Sequence, residues 1–114
     1  MSNEKRNKLR AKALGQKPVF QKELIEGFEV RQPSLRDRSE IIKTVSDVEG
    51  KIDSEKFLTQ CLINHIYVPD TDEKVFEIAD IEAMISHPTG GLIDKLSQAA
   101  MRLFNIDIEA ARKN

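Results

Sequence analysis

Tryptophan is absent from this 114-residue chain, tyrosine and cysteine occur once each (Tyr67, Cys61), and only five glycines and four prolines punctuate it. A single cysteine excludes an intramolecular disulfide, so stability must come from packing. No apolar run approaches the roughly 20 residues that cross a bilayer, which excludes a spanning helix. The start of the chain carries no signal-type apolar stretch and so gives no hint of export. A reducing cytoplasm is the expected compartment. The shortage of aromatics bears on nucleic acid as well, because the basic segment at the start has no ring on which a base would stack.

What is present is ordinary for a folded body: 39% hydrophobic and 32% charged residues, too apolar for full disorder. This length buries roughly two thirds of the surface its unfolded chain would expose, enough for one modest core. The net charge of -1 conceals an uneven distribution. Lys5, Arg6, Lys8, Arg10, Lys12 and Lys17 stand against Glu4 alone, whereas acidic residues dominate the middle from Asp47 to Glu82. Such polarity can draw oppositely charged copies together or steer a charged partner. The division that follows is a basic arm over 1–17, flexible or helical, and a single helical domain over 18–114.

The apolar spacing gives the coarse architecture. Leu9, Ala11, Ala13 and Leu14 make a thin face for a first helix with Ser2 as its cap, marginal in water on its own. Between Val19 and Gln32 the positions of Phe20, Leu24, Phe28 and Val30 predict two short strands turning at Glu26-Gly27, with a helix from Gln21 as the competing reading. Ser34, followed three residues later by Asp37, starts a helix whose packed side is Leu35, Arg38, Ile41, Ile42 and Val45, ending before Gly50. Asp53 or Ser54 caps the next, with Phe57, Leu58, Cys61, Leu62, His65 and Ile66 at helical spacing up to Pro69. A short helix over 80–86 buries Ile81, Met84 and Ile85, and Pro88 stops it. Thr89 is the expected cap of the last main helix, with Leu92, Ile93, Leu96, Ala99, Ala100, Leu103 and Phe104 as its stripe. A final turn over 107–113 extends it or swings away. The fold class is mainly α: a small helical domain with a short N-terminal β-hairpin.

Reactive constellations fail one by one. Asp70-x-Asp72 starts like a calcium loop, but Lys74, Val75 and Ile81 stand where an oxygen ligand, a glycine and a glutamate are needed. The stretch reads as a solvated acidic turn. Cys61 and His65, four apart, share a helix face, yet Phe57, Leu58, Leu62 and Ile66 surround them with nothing to activate a thiol; the reading is a structural Cys and a boundary His. His87 reads as a helix-end residue. Gly90-Gly91 precedes a helix without the Lys-Ser or Lys-Thr of a phosphate loop, so it reads as a tight turn. Neither an enzyme nor a cofactor is expected. The basic arm leaves one alternative open, a small DNA-binding regulatory protein, although the apolar helix over 92–104 is a poor recognition helix.

The layout Phe28-Glu29-Val30-Arg31-Gln32-Pro33-Ser34 before a charged helix, then an apolar helix, the acidic turn, Val75-Phe76, Pro88 and the Leu92 to Phe104 helix with Asn105-Ile106 resembles the tail assembly chaperones of long-tailed bacteriophages and prophages, over about residues 20–108. The resemblance implies a small helical protein of the host cytoplasm, absent from the mature virion. Its implied partner is the tape measure protein, which it coats and keeps soluble while tail tube subunits are recruited. It also implies a longer frameshifted product that reaches the tail tube protein; Arg112-Lys113-Asn114 is compatible with the slippery heptamer A AAA AAC. Self-association follows from the need to coat a long partner with many copies. No membrane contact is expected. Helix-in-groove recognition needs exposed apolar surface beside a polar rim. The first candidates for partner contact are Leu92, Leu96, Leu103 and Phe104, with a plain core role as the preferred competing assignment.

Overall fold

The computed structural model describes residues 2–105, so the expectations for residues 107–113, for the 112–114 codons and for the Ser2 side chain lie outside the described residues. The basic arm is the helix α1, Ser2–Leu14, and its side chains from Asn3 onward are exposed. This follows from its sequence, because charges on every side leave no stripe to bury.

The hairpin forms. Strands β1 (Lys22–Ile25) and β2 (Phe28–Arg31) pair antiparallel in the register Lys22↔Arg31 to Ile25↔Phe28. Glu26 and Gly27 both take positive φ, 47° and 89°, the conformation that matches a two-residue turn to the twist of its strands and that favours glycine. A third strand, β3 (Ile66–Tyr67), adds to β2 through Val30↔Ile66 and Glu29↔Tyr67. The expected helix up to Pro69 is corrected here: α3 spans Ser54–His65 and stops four residues earlier. Ile66 leaves the helix because its backbone finds the sheet instead, pairing with Val30 and accepting from the Val75 amide at 3.0 Å. The chain reverses over Pro69 to Asp72, with Asp70 at φ 62°, and the Val68 amide donates to the Glu73 carbonyl at 2.9 Å.

Helix α2 spans Leu35–Val45, and Ser34 Oγ accepts from the Asp37 amide at 3.0 Å, the expected cap. Ile41 and Val45 are buried, but Leu35 is 77% exposed. As the first residue of the helix it sits where the chain enters from the sheet, beyond the reach of α3. Asp53 caps α3 by accepting from the Lys56 amide. A 3-10 turn (Ile78–Asp80) leads into α4 (Ile81–Ile85), of which Met84 is buried while Ile85 remains partly exposed. Helix α5 spans Leu92–Phe104 with Gly91, not Thr89, at its cap position. Gly90 at φ 79° turns its amide onto the Asp94 carboxylate at 2.6 Å, and that bond holds the Asp94 acid below the ordinary carboxylate range. Asn105 closes α5 in the left-handed region, which asparagine tolerates better than most residues.

The core lies between α3, α5 and the inner face of the sheet. Phe57, Cys61 and Leu62 of α3, Leu96, Ala99, Ala100 and Phe104 of α5, and Val30 and Ile66 of the sheet are all at most 1% exposed. Ala99 and Ala100 have side chains short enough to let α3 lie close against α5. Phe104 makes two T-shaped ring contacts, with Phe57 at 5.4 Å and with His65 at 5.2 Å, geometries that suit the ring quadrupole. Among the described residues no helix is long and apolar enough to cross a membrane.

Candidate protein-binding surface

Three of the four candidate contact residues belong to the core. Leu96 is 0%, Leu103 7% and Phe104 1% exposed, and Leu92 is half-buried. A side chain enclosed by its own fold offers little to a partner, so as contact residues Leu96, Leu103 and Phe104 are corrected to core residues. The physical reason is that the stripe of α5 is already used against α3 and the sheet.

Among the described residues, uncovered apolar surface lies at the C-terminal end of α5. There Leu103, Phe104 and Asn105 form the floor of a cleft of about 710 Å³ whose walls come from Pro18, Val19, Phe20, Pro33 and Leu35. Val19 is 90%, Phe20 50% and Leu35 77% exposed. Their exposure has a common cause: the entry to β1 and the exit from β2 meet the first turn of α2, and among the described residues no other element covers that corner. Arg36, Asp37 and Arg38 supply a polar rim. Arg38 donates to the Phe104 carbonyl at 3.3 Å, meeting the orphan acceptors at the end of α5 and tying floor to rim. An open apolar channel with charged edges is what a partner's amphipathic helix requires. A smaller groove, about 300 Å³, lies between α3, α4 and α5 and is lined by Leu58, Met84, Ile85, Ile93 and Met101.

Cys61 and His65 lie away from both grooves, whereas the exposed His87 lines the smaller one. Cys61 is fully buried, and desolvation pushes its thiol upward, so it has no thiolate to offer. His65 is 5% exposed, deeper than a boundary residue. Its Nε2 has no hydrogen-bond partner, and desolvation brings its pKa down to about 4, opposed by the charge of Asp37 and assisted by that of Lys74. It is a neutral imidazole in the core, not a base paired with Cys61. His87 Nδ1 lies 2.6 Å from the Ala83 carbonyl at the end of α4. Among the described residues no three His, Cys, Asp or Glu side chains converge in a way that would hold a metal.

The acidic turn is engaged, and the residue that engages it is one that sequence reading missed. Glu29, 2% exposed, accepts from Arg31 Nε at 2.5 Å and is approached by Lys22 Nζ at 3.5 Å. Arg31 lies over the Tyr67 ring at 3.8 Å, reaches Asp72 at 3.1 Å and donates to the Thr71 carbonyl. The hydrogen bond from Arg31 holds the Glu29 carboxyl below the ordinary range. Arg31 thus fastens the turn over the outer face of the sheet. Replacing it with Met would leave the covered Glu29 with only the long contacts from Lys22 Nζ and the Asp70 amide, each at 3.5 Å; a loss of about 1–3 kcal/mol is expected, read from the urea midpoint, and an unchanged midpoint would mean that Lys22 takes over the pairing. The only cue in the sequence is the i, i+2 spacing of Glu29 and Arg31, which puts both on one face of a strand.

No protein-family model matches the chain, and neither a curated protein nor a solved structure matches it.

Proposed function

We propose that this protein is a tail assembly chaperone of long-tailed bacteriophages or prophages, which binds the tape measure protein, keeps it soluble and aids assembly of the tail tube. The observation that carries the reading is the open apolar cleft at Val19, Phe20 and Leu35 with its charged rim, in a body whose only thiol and most enclosed imidazole are locked into packing. Such a chain holds other chains and makes or breaks no bonds; it acts in the host cytoplasm as several copies, and leaves before the virion is complete. A longer frameshifted form would carry the contact with the tail tube protein.

The reading predicts a long helix-rich reading frame immediately downstream of this gene, and the test is co-expression with the protein it encodes. Leu35→Asp removes an exposed apolar wall of the cleft, and an acidic residue in the first turn of a helix is favourable, so the fold should survive. The wild type is expected to keep the long protein soluble, and the variant to lose at least roughly tenfold of that yield, the scale of one lost anchor. Equal yields with both would remove the cleft from the mechanism, and a long protein insoluble in either company would remove the chaperone.

A second reading rests on α1, a helix with five exposed basic residues and no apolar face: a small DNA-binding regulatory protein. Duplex binding that weakens steeply with salt would support it. Absence of binding at low salt would end it.

A further inference from the structure

We propose that two copies of this chain join edge to edge through β1, antiparallel about a two-fold axis at Leu24, so that the three-stranded sheets of both copies become one. The sheet order is β1-β2-β3, and among the described residues no other strand or bridge pairs with β1. On the other side β3 is covered by the returning chain at Lys74. The open side of β1 therefore presents unpaired backbone groups, the feature by which sheets join.

The backbone fixes which residues those are. The Gln32 amide donates to the Gln21 carbonyl at 2.9 Å, so Gln21 and Gln32 form a bonded pair. Bonded pairs alternate along an antiparallel ladder, which gives Glu23 with Val30 and Ile25 with Phe28 as the next two in this register. Lys22 and Leu24 consequently turn their amides and carbonyls outward. A two-fold axis at Leu24 lets Leu24 exchange both bonds with Leu24 of the second copy.

Charge favours this register over those centred on Glu23 and Lys22. With the axis at Leu24, Lys22 stands opposite the second copy's Glu26, twice by symmetry, flanking a Leu24 to Leu24 contact. Lys22 and Glu26, the latter in the turn just beyond β1, are each 57% exposed in their side chains, with ion-pair partners in their own copy at 3.5 Å (Glu29) and 3.6 Å (Lys95), and Leu24 is 66% exposed. Moving the axis to Glu23 sets Glu23 against itself, and moving it to Lys22 does the same with Lys22. Like charges directly opposite destabilise a strand pair and unlike charges stabilise it. The sequence Lys22-Glu23-Leu24-Ile25-Glu26 is thus complementary to its own reverse, and the occupant of the edge is a second copy.

This deepens the self-association included in the proposed function and rests on that part of it alone. A short edge buries little area, and interfaces below roughly 1,200 Å² are weak or transient, so the dimer should appear only as concentration rises. In sedimentation velocity over roughly 5–500 µM, the full-length wild type is expected to shift from monomer to dimer. Leu24→Lys and Leu24→Glu should each remain monomeric, and their equimolar mixture should dimerise again. Thermal melts check that both variants are folded. If either is not, the pair Lys22→Glu and Glu26→Lys decides, each alone abolishing the dimer and the double variant restoring it. Amide exchange at Lys22 and Leu24 should slow with concentration while that at Glu23 and Ile25 stays constant. A wild type that stays monomeric throughout overturns the inference, as does a dimer that persists in both single-charge variants. A monomer that still solubilises the long partner sinks the edge pairing alone; a dimer that fails to solubilise it sinks the chaperone reading alone.

Discussion

Phe104→Ala is expected to lower the unfolding free energy by about 3–5 kcal/mol, the range for deleting a fully enclosed aromatic ring. A domain of this size has roughly 5–15 kcal/mol in total, so the variant should lose a large part of its urea midpoint or fail to fold at growth temperature. The reason is local and specific. Phe104 is 1% exposed and makes T-shaped contacts with both Phe57 and His65, so its removal takes a ring partner from each as well as leaving a void between α3 and α5. The comparison that gives the number meaning is Leu35→Ala, whose side chain is 77% exposed and whose loss should stay within about 0.5 kcal/mol. Phe104→Ala costing less than about 1 kcal/mol would show that α5 repacks, and would return Phe104 to the set of contact residues. The pair of variants separates folding from binding, because Leu35 walls the same cleft whose floor is Phe104.

What was legible in the sequence was whatever its own neighbours decide. The turn at Glu26-Gly27, the Ser34 cap, the Asp53 cap and the stop at Pro88 are set by a few adjacent residues, and each appears where the local chemistry puts it. The stripe of α5 was legible too, since Leu96, Ala99, Ala100, Leu103 and Phe104 keep helical spacing. The misreadings at Ile66, Glu29 and the cleft share a cause, in that the deciding contact comes from far along the chain. Ile66 continues the apolar period of α3 from Leu62, and nothing nearby says that its backbone will pair with Val30, 36 positions earlier. A two-residue strand has no period of its own to detect. Glu29 ranks by type as a solvated residue, and only the loop that folds over it from Asp70 to Asp72 makes it a buried one. The cleft escaped for the same reason. Sequence reading assigned partner contact to the strongest apolar stripe, but that stripe is consumed by the core, and the free surface comes from Val19, Phe20 and Leu35, which no single element groups together.

His65 gives the chain an acid-sensitive core, and the direction of the effect follows from its surroundings. Its ring is 5% exposed, its Nε2 has no partner, and desolvation lowers its pKa from 6.5 to about 4. In the unfolded chain the imidazole takes a proton as pH falls through about 6.5, whereas in the folded chain it resists until about 4. Between those values the unfolded state binds more protons, so stability is complete above about 6.5, declines through the window, and has lost about 3 kcal/mol at its lower end. The carboxyl of Glu29, held low by Arg31, gives up its own contribution as pH falls through its depressed folded value. The His65 contribution should therefore be separable in denaturation curves taken at half-unit steps from pH 7.5 to 4.5. Replacing His65 with Leu keeps an apolar contact for Phe104 and removes the titrating group, so the slope across the window should flatten while the stability at pH 7 changes far less. A wild type whose stability is level from pH 7 to 4.5 would mean that water reaches Nε2, and that the contact between α3 and α5 is looser than its packing indicates. A slope that survives in His65→Leu would assign the acid sensitivity to another group.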